Sequence, residues 1–153
     1  MTNQSLSQDT SSTGISESEN VPADYRPSDD EEFMSPRQKA YFRKKLLDWK
    51  AELAREAQET LDSLAVDSLQ EPDMADRAST ESEWSVQLRT RDRQRKLTAK
   101  IDAALRRLDR GEYGYCEVTG EPISLKRLDA RPVATLSLEA QEAHERVEKV
   151  SRD

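Results

Sequence analysis

At 153 residues, 34% of them hydrophobic and 36% charged, the chain has room for one domain with a tail, and its balance suits an elongated helical protein better than a large enzyme core. The net charge of −7 argues against the counterion-release binding that gives proteins general affinity for DNA, and no apolar run approaches the roughly 18 residues of a membrane helix. One cysteine excludes an intrachain disulfide framework, and with no secretory leader in view the expected compartment is a reducing cytoplasm.

Residues 1–32 hold eight acidic side chains and one Arg, Arg26, leaving the remainder with 23 charges of each sign. This stretch is rich in Ser, Thr and Asn and nearly free of aliphatics, so it cannot bury enough apolar surface to offset its ordering entropy. It is predicted to be a disordered acidic tail.

Residues 33–110 read as a helical hairpin. Ser35 followed by Pro36 and Gln38 is a helix start, with Ser as N-cap and Pro at the first position. Phe42, Leu46, Trp49, Leu53, Ala57, Leu61 and Leu64 then recur in steps of three and four, which makes one apolar stripe. A break around Glu71-Pro72-Asp73 separates this arm, residues 36–69, from a second of equal length, residues 77–110. Equal helices around a short break predict an antiparallel coiled-coil hairpin with its tip near residues 70–78, each arm about 50 Å long. The second arm carries Trp84, Leu88, Leu97, Ile101, Leu105 and Leu108 and ends at Gly111, a C-terminal cap. Its middle, Arg89 to Lys96, is nearly all charged, which reads either as a solvated face or as a site for an anionic partner.

Residues 111–136 change character. Gly111, Gly114, Gly120 and Pro122 signal turns and short extended pieces, a knob that Phe42 and Trp49 of the first arm would complete. A last helix is predicted for residues 137–153, capped by Ser137. The knob has zinc-knuckle spacing without its ligands. Four cysteines at positions 116, 119, 137 and 140 would make CxxC…CxxC, but the chain has Cys116, Thr119, Ser137 and Ala140 there. No zinc and no other cofactor is expected, with Val118, Ile123, Leu125, Leu136 and Leu138 replacing the metal and Cys116 a small buried hydrophobe.

Asp73 and Asp76 lie three apart at the tip, where they are either turn and cap residues or an acidic fingertip. No phosphate loop, nucleophile elbow or His–metal pair is present, and His144 sits among charged residues of the last helix. The chain is not expected to be an enzyme.

Together, Asp73-x-x-Asp76-Arg77-Ala78, Leu88-Arg89-Thr90-Arg91-Asp92-Arg93 with Arg95-Lys96-Leu97, Gly114-Tyr115-Cys116-Glu117 and Arg127-Leu128-Asp129-Ala130-Arg131-Pro132 resemble the DksA/TraR family of bacterial transcription factors. The likeness covers roughly residues 33–145. It implies a rod that enters the secondary channel of RNA polymerase, lowers initiation at ribosomal RNA promoters and aids amino-acid biosynthesis promoters, in concert with ppGpp. By resemblance Asp73, Asp76 and Ala78 are tip contacts, Thr90 and Arg93 touch polymerase from the second arm, and Leu97, Lys100 and Arg131 meet ppGpp. Gln141 stands where the family usually has Lys, which predicts weaker nucleotide affinity. The resemblance also implies a monomer in the cytoplasm, with neither DNA nor membrane as a direct partner. Two other readings compete: a Gre-like transcript-cleavage factor, whose acidic tip pair would be adjacent in sequence, and a coiled coil that dimerises through its stripe.

Overall fold

The computed structural model describes residues 21–67 and 74–152, and for residues 67 and 74–80 the helical backbone alone. Four helices follow in order: α1 (Pro36–Asp67), α2 (Met74–Arg110), α3 (Leu125–Ala130) and α4 (Leu138–Arg152). The fold is mainly α, a long antiparallel hairpin of α1 and α2 standing on a small head.

α1 starts as expected. The Gln38 N–H donates to Ser35 Oγ at 3.2 Å, while the Gln38 side-chain carbonyl accepts from the Met34 N–H at 2.8 Å. α2 is 37 residues long, or about 55 Å. It begins at Met74, so Asp76 lies within its first turn and is not its cap. Its end is a Schellman motif: Gly111 takes φ +73, its N–H donates to the Leu108 carbonyl, and the Glu112 N–H donates to the Arg107 carbonyl. Arg43–Asp109 at 2.8 Å, Lys50–Asp102 at 2.6 Å and a Gln94–Glu56 hydrogen bond at 3.3 Å tie the two arms in antiparallel register.

The apolar stripe of α1 is used unevenly. Phe42 and Leu46 are fully buried and Leu53 nearly so, against Ile101, Ala104 and Leu108 of α2. The Phe42 ring lies 5.5 Å from that of Tyr113, and Trp49 packs at the margin, so α1 does complete the head. Within the knob Ile123, Leu125, Leu128, Val133 and Ala134 are buried. Two expected substitutes for the metal are not: Val118 and Leu138 face solvent, because they lie on the outer side of the knuckle turn and of α4.

Residues 21–35 form a strap across the head, although an unstructured tail was expected as far as residue 32. Aromatic and amide anchors hold this segment where aliphatics are lacking. The Tyr25 hydroxyl donates to Glu31 at 2.7 Å, the Tyr25 ring stacks edge-on against Tyr41 at 5.9 Å, and the Arg37 guanidinium lies 4.9 Å over it. The buried Gln38 amide donates to the Ser28 carbonyl at 3.2 Å. Met34 takes the left-handed φ of 52 and its side chain rests against Gly114, where a Cβ would meet Met34 at 3.0 Å and Phe33 at 3.2 Å. Among the described residues no helix is long and apolar enough to cross a membrane.

Candidate functional site

The head carries a cleft of about 200 Å³ between α2, the 133–136 segment and the start of α4. Four cations line it, Lys100, Arg107, Arg127 and Arg131, beside one carboxylate, Glu117, and the amide of Gln141. α2 presents Lys100 and Arg107 seven residues apart, two turns along one face. Arg131 closes α3, its N–H donating to the Arg127 carbonyl at 2.8 Å. Behind α3, Asp129 fixes the helix to α1: its Oδ1 accepts from the Tyr41 hydroxyl at 2.6 Å and from Lys45 Nζ at 2.7 Å. These donors, Lys45 foremost, hold the Asp129 carboxyl below the usual carboxylate range. Burial and the neighbouring Asp129 push the Tyr41 phenol up to about 12.

The cations differ in how they are engaged. Arg127 Nε donates to the Leu136 carbonyl at 2.9 Å, and Arg107 Nη2 donates to the Tyr115 carbonyl at 2.8 Å. The side chains of Lys100 and Arg131 make no hydrogen bond or ion pair among the described residues, which leaves their donors available to an anion. Thus the structure brings Lys100, Arg131 and Gln141 together. Leu97 lies one turn before Lys100, packed against the core instead of lining the cleft. Arg107, Arg127 and Glu117 were missed in the sequence, although the spacing from Lys100 to Arg107 already placed those two on one helical face.

The expected polymerase-contacting positions lie elsewhere. Asp73 is outside the described residues, and Asp76 and Ala78 belong to the opening turns of α2, where only the backbone is described. Arg93 is exposed, while Thr90 is half-buried with its hydroxyl donating to the Val86 carbonyl at 3.0 Å. Between the two arms, away from the head, runs an apolar groove lined by Leu61, Leu64, Ala65, Trp84 and Leu88.

The knuckle is a tight turn. The Cys116 N–H donates to the Glu121 carbonyl at 2.8 Å, the Gly120 N–H returns to the Cys116 carbonyl at 2.8 Å, and the Glu117 N–H reaches Thr135 at 2.9 Å. Cys116 is 2% exposed, as a small hydrophobe would be, yet polar groups of Val118, Thr119 and Ser137 act on its sulfur. Burial pushes the thiol up, but the Thr119 hydroxyl and the backbone groups of Ser137, Thr119 and Val118 outweigh it and bring it down to about 6.

Comparison with known proteins agrees with this architecture. Residues 38–108 match the family model of the DnaK suppressor protein DksA N-terminal domain, and residues 111–146 match that of the prokaryotic dksA/traR C4-type zinc finger. A Caulobacter vibrioides protein named RNA polymerase-binding transcription factor DksA is 60% identical over 131 residues, 86% of this chain and 92% of the relative. The Escherichia coli K12 protein of the same name is 38% identical over 125 residues, 82% of this chain and 83% of the relative. The solved structure of transcription factor DksA2 from Pseudomonas aeruginosa superposes with a TM-score of 0.72 at 44% identity, covering 76% of this chain and 90% of that one.

The match over residues 111–146 corrects the expectation of a chain without zinc. The knob carries the pattern of a C4-type finger, and zinc is the group that this pattern implies. The donors at the four knuckle positions do not fit that metal. Cys116 is the one thiol, the Thr119 hydroxyl accepts from the Glu121 N–H at 3.3 Å, the Ser137 hydroxyl accepts from the Ala140 N–H at 3.3 Å, and Ala140 has no donor. No part of the proposed function therefore runs through a metal. Family membership rests instead on the hairpin, the knuckle turn and the length of the match: the chain belongs to the DksA/TraR family.

Proposed function

We propose that this chain is an RNA polymerase-binding transcription factor that acts as a monomer in the cytoplasm without contacting DNA itself. The carrying observation is the 60% identity that extends over 92% of a relative bearing that name. The geometry supports the same reading. The hairpin, whose second helix is about 55 Å long, is rooted in the head, and its outer half leaves Trp84, Val86 and Leu88 exposed in search of a partner surface. Such a rod fits the secondary channel of the enzyme. In this reading Asp73, Asp76 and Ala78 act at the tip as contacts and not as catalysts, while Thr90 and Arg93 face polymerase along the arm.

The cleft at the base supplies the effector site. Lys100 and Arg131 offer uncommitted donors to the phosphates of ppGpp at the interface with polymerase, beside Leu97 on the same arm. Gln141 contributes no charge, and its Nε2 donates to Glu145 Oε1 at 3.0 Å, so affinity for the alarmone is lower than with a third free cation there. The regulatory outcome is reduced initiation at ribosomal RNA promoters and support of amino-acid biosynthesis promoters.

Transcription from a ribosomal RNA promoter with cognate polymerase, with and without ppGpp, tests the whole reading. Wild-type protein is expected to inhibit, ppGpp to deepen the inhibition, and Asp76→Asn to abolish it without loss of polymerase binding. Release of short RNA from backtracked complexes, or unchanged transcription despite binding, would refute it.

A further inference from the structure

Arg107 stands two helical turns from Lys100 on the cleft-facing side of α2 and is held quite differently. Its side chain is 14% exposed, and Nη2 donates to the carbonyls of Tyr115 at 2.8 Å and Glu112 at 3.4 Å. Those two contacts orient the guanidinium plane and leave Nη1 turned to the Glu117 carboxylate at 3.4 Å. That gap exceeds the about 2.8 Å of a good charge-assisted hydrogen bond. The Glu117 side chain is 57% exposed, whereas its backbone N–H is pinned to the Thr135 carbonyl at 2.9 Å. The carboxylate can swing to solvent without disturbing the knuckle, and the pair it makes is a weak one.

We infer that Arg107 is a further phosphate anchor of the cleft, and that Glu117 is the internal occupant which an incoming phosphate displaces. This rests on the reading of the cleft as the ppGpp site. In the free chain Glu117 neutralises the guanidinium. In the bound state a phosphate oxygen accepts from Nη1, with Tyr115 still holding Nη2, and Glu117 turns outward. The exchange sets a threshold on the ligand. A singly charged anion gains little over the carboxylate it replaces. A nucleotide with two phosphate groups reaches Arg107 and the free cations Lys100 and Arg131 at once, which repays the displacement. The pair thus favours pyrophosphorylated nucleotides over monophosphates, and Arg107 supplies within the cleft a cation that Gln141 does not.

Equilibrium binding of labelled ppGpp to the complex of the full chain with cognate polymerase tests this, reading the share of binding that requires the chain. Glu117→Gln removes the occupant and is expected to tighten that share about threefold, the size of one exposed ion pair. Adding Arg107→Gln is expected to erase the gain, with thermal melts verifying that both variants fold. Independently of any variant, pyrophosphate added to the wild-type chain alone is expected to shift the Arg107 Nε–H resonance. An unchanged affinity in Glu117→Gln, with Lys100→Ala still abolishing the chain-dependent share, overturns the inference and leaves the cleft reading standing. An unmoved Arg107 resonance beside shifted Lys100 and Arg131 signals does the same. Absence of any chain-dependent ppGpp binding by the wild-type complex overturns both.

Discussion

The head and the outer arm are built from similar helices, yet they spend their apolar residues in opposite ways. In the head Phe42, Leu46, Ile101, Ile123 and Leu128 are all fully buried, drawn from both arms, the knuckle and α3. In the outer arm the same stripe continues through Leu61, Trp84 and Leu88, but Trp84 is 44% and Leu88 55% exposed. Two helices alone cannot enclose a stripe that a third layer must cover, and among the described residues no third layer lies beyond Leu53. Stability therefore resides in the head, while the arm keeps its apolar surface for something else.

Truncation separates the two regions most sharply. Leu46→Ala leaves a cavity in the closed core and is expected to cost about 2–5 kcal/mol, seen as a large fall in the urea midpoint. Leu88→Ala removes a side chain that is already more than half exposed. Its cost is expected to stay below about 1 kcal/mol, with a clear loss of polymerase affinity. If both variants lose stability equally, the division of labour is wrong.

Gly114→Ala tests how the strap is seated. The new Cβ would lie 3.0 Å from Met34 and 3.2 Å from Phe33, on a residue whose φ is +90. Left-handed backbone alone costs a non-glycine residue about 1–2 kcal/mol, and the contact adds to it. Loss of strap protection in hydrogen exchange, ahead of α1 and α2, is the expected signature.

The head's own chemistry gives a pH test. The Cys116 thiol is lowered to about 6 in the folded chain, so between that value and the ordinary thiol range the unfolded chain holds a proton that the folded one has released. Stability from this group is full above the unfolded pKa and disappears as pH falls through about 6. Wild type should gain stability from about pH 6 to 9 relative to Cys116→Ala, with ultraviolet thiolate absorbance titrating in parallel. Parallel stability curves for the two proteins would mean that the sulfur is a neutral thiol.

Much of this division was legible in the residues themselves. Helix period, the Ser35–Gln38 start and the Gly111 stop are local signals, and they place the start of α1 at Pro36 and the end of α2 at Arg110, as observed. The strap was missed because nothing in residues 21–32 is periodic: it is held by Tyr25 and the buried Gln38, whose partners are distant in sequence. The contacts of Arg107 were missed for a related reason, since its carbonyl acceptors come from a loop whose path no periodicity reveals. Cys116 read as a hydrophobe because burial can be guessed from residue type, whereas donors aimed at a sulfur depend on the folded turn. Val118 and Leu138 failed in the opposite sense, being apolar by type and exposed by position.

The smallest expected effect concerns what keeps the arms together between head and tip. Lys50–Asp102 at 2.6 Å is 44% and 35% exposed, so water and salt screen it and its worth is below about 1 kcal/mol. A double-mutant cycle with Lys50→Met and Asp102→Asn should return a coupling of that size, falling as salt rises. A coupling several times larger would make the pair a structural clamp and extend the rigid head outward along the hairpin. A small one keeps the boundary near Leu53, the last buried apolar residue of α1 among those described, and leaves the outer arm with its exposed stripe outside the rigid head.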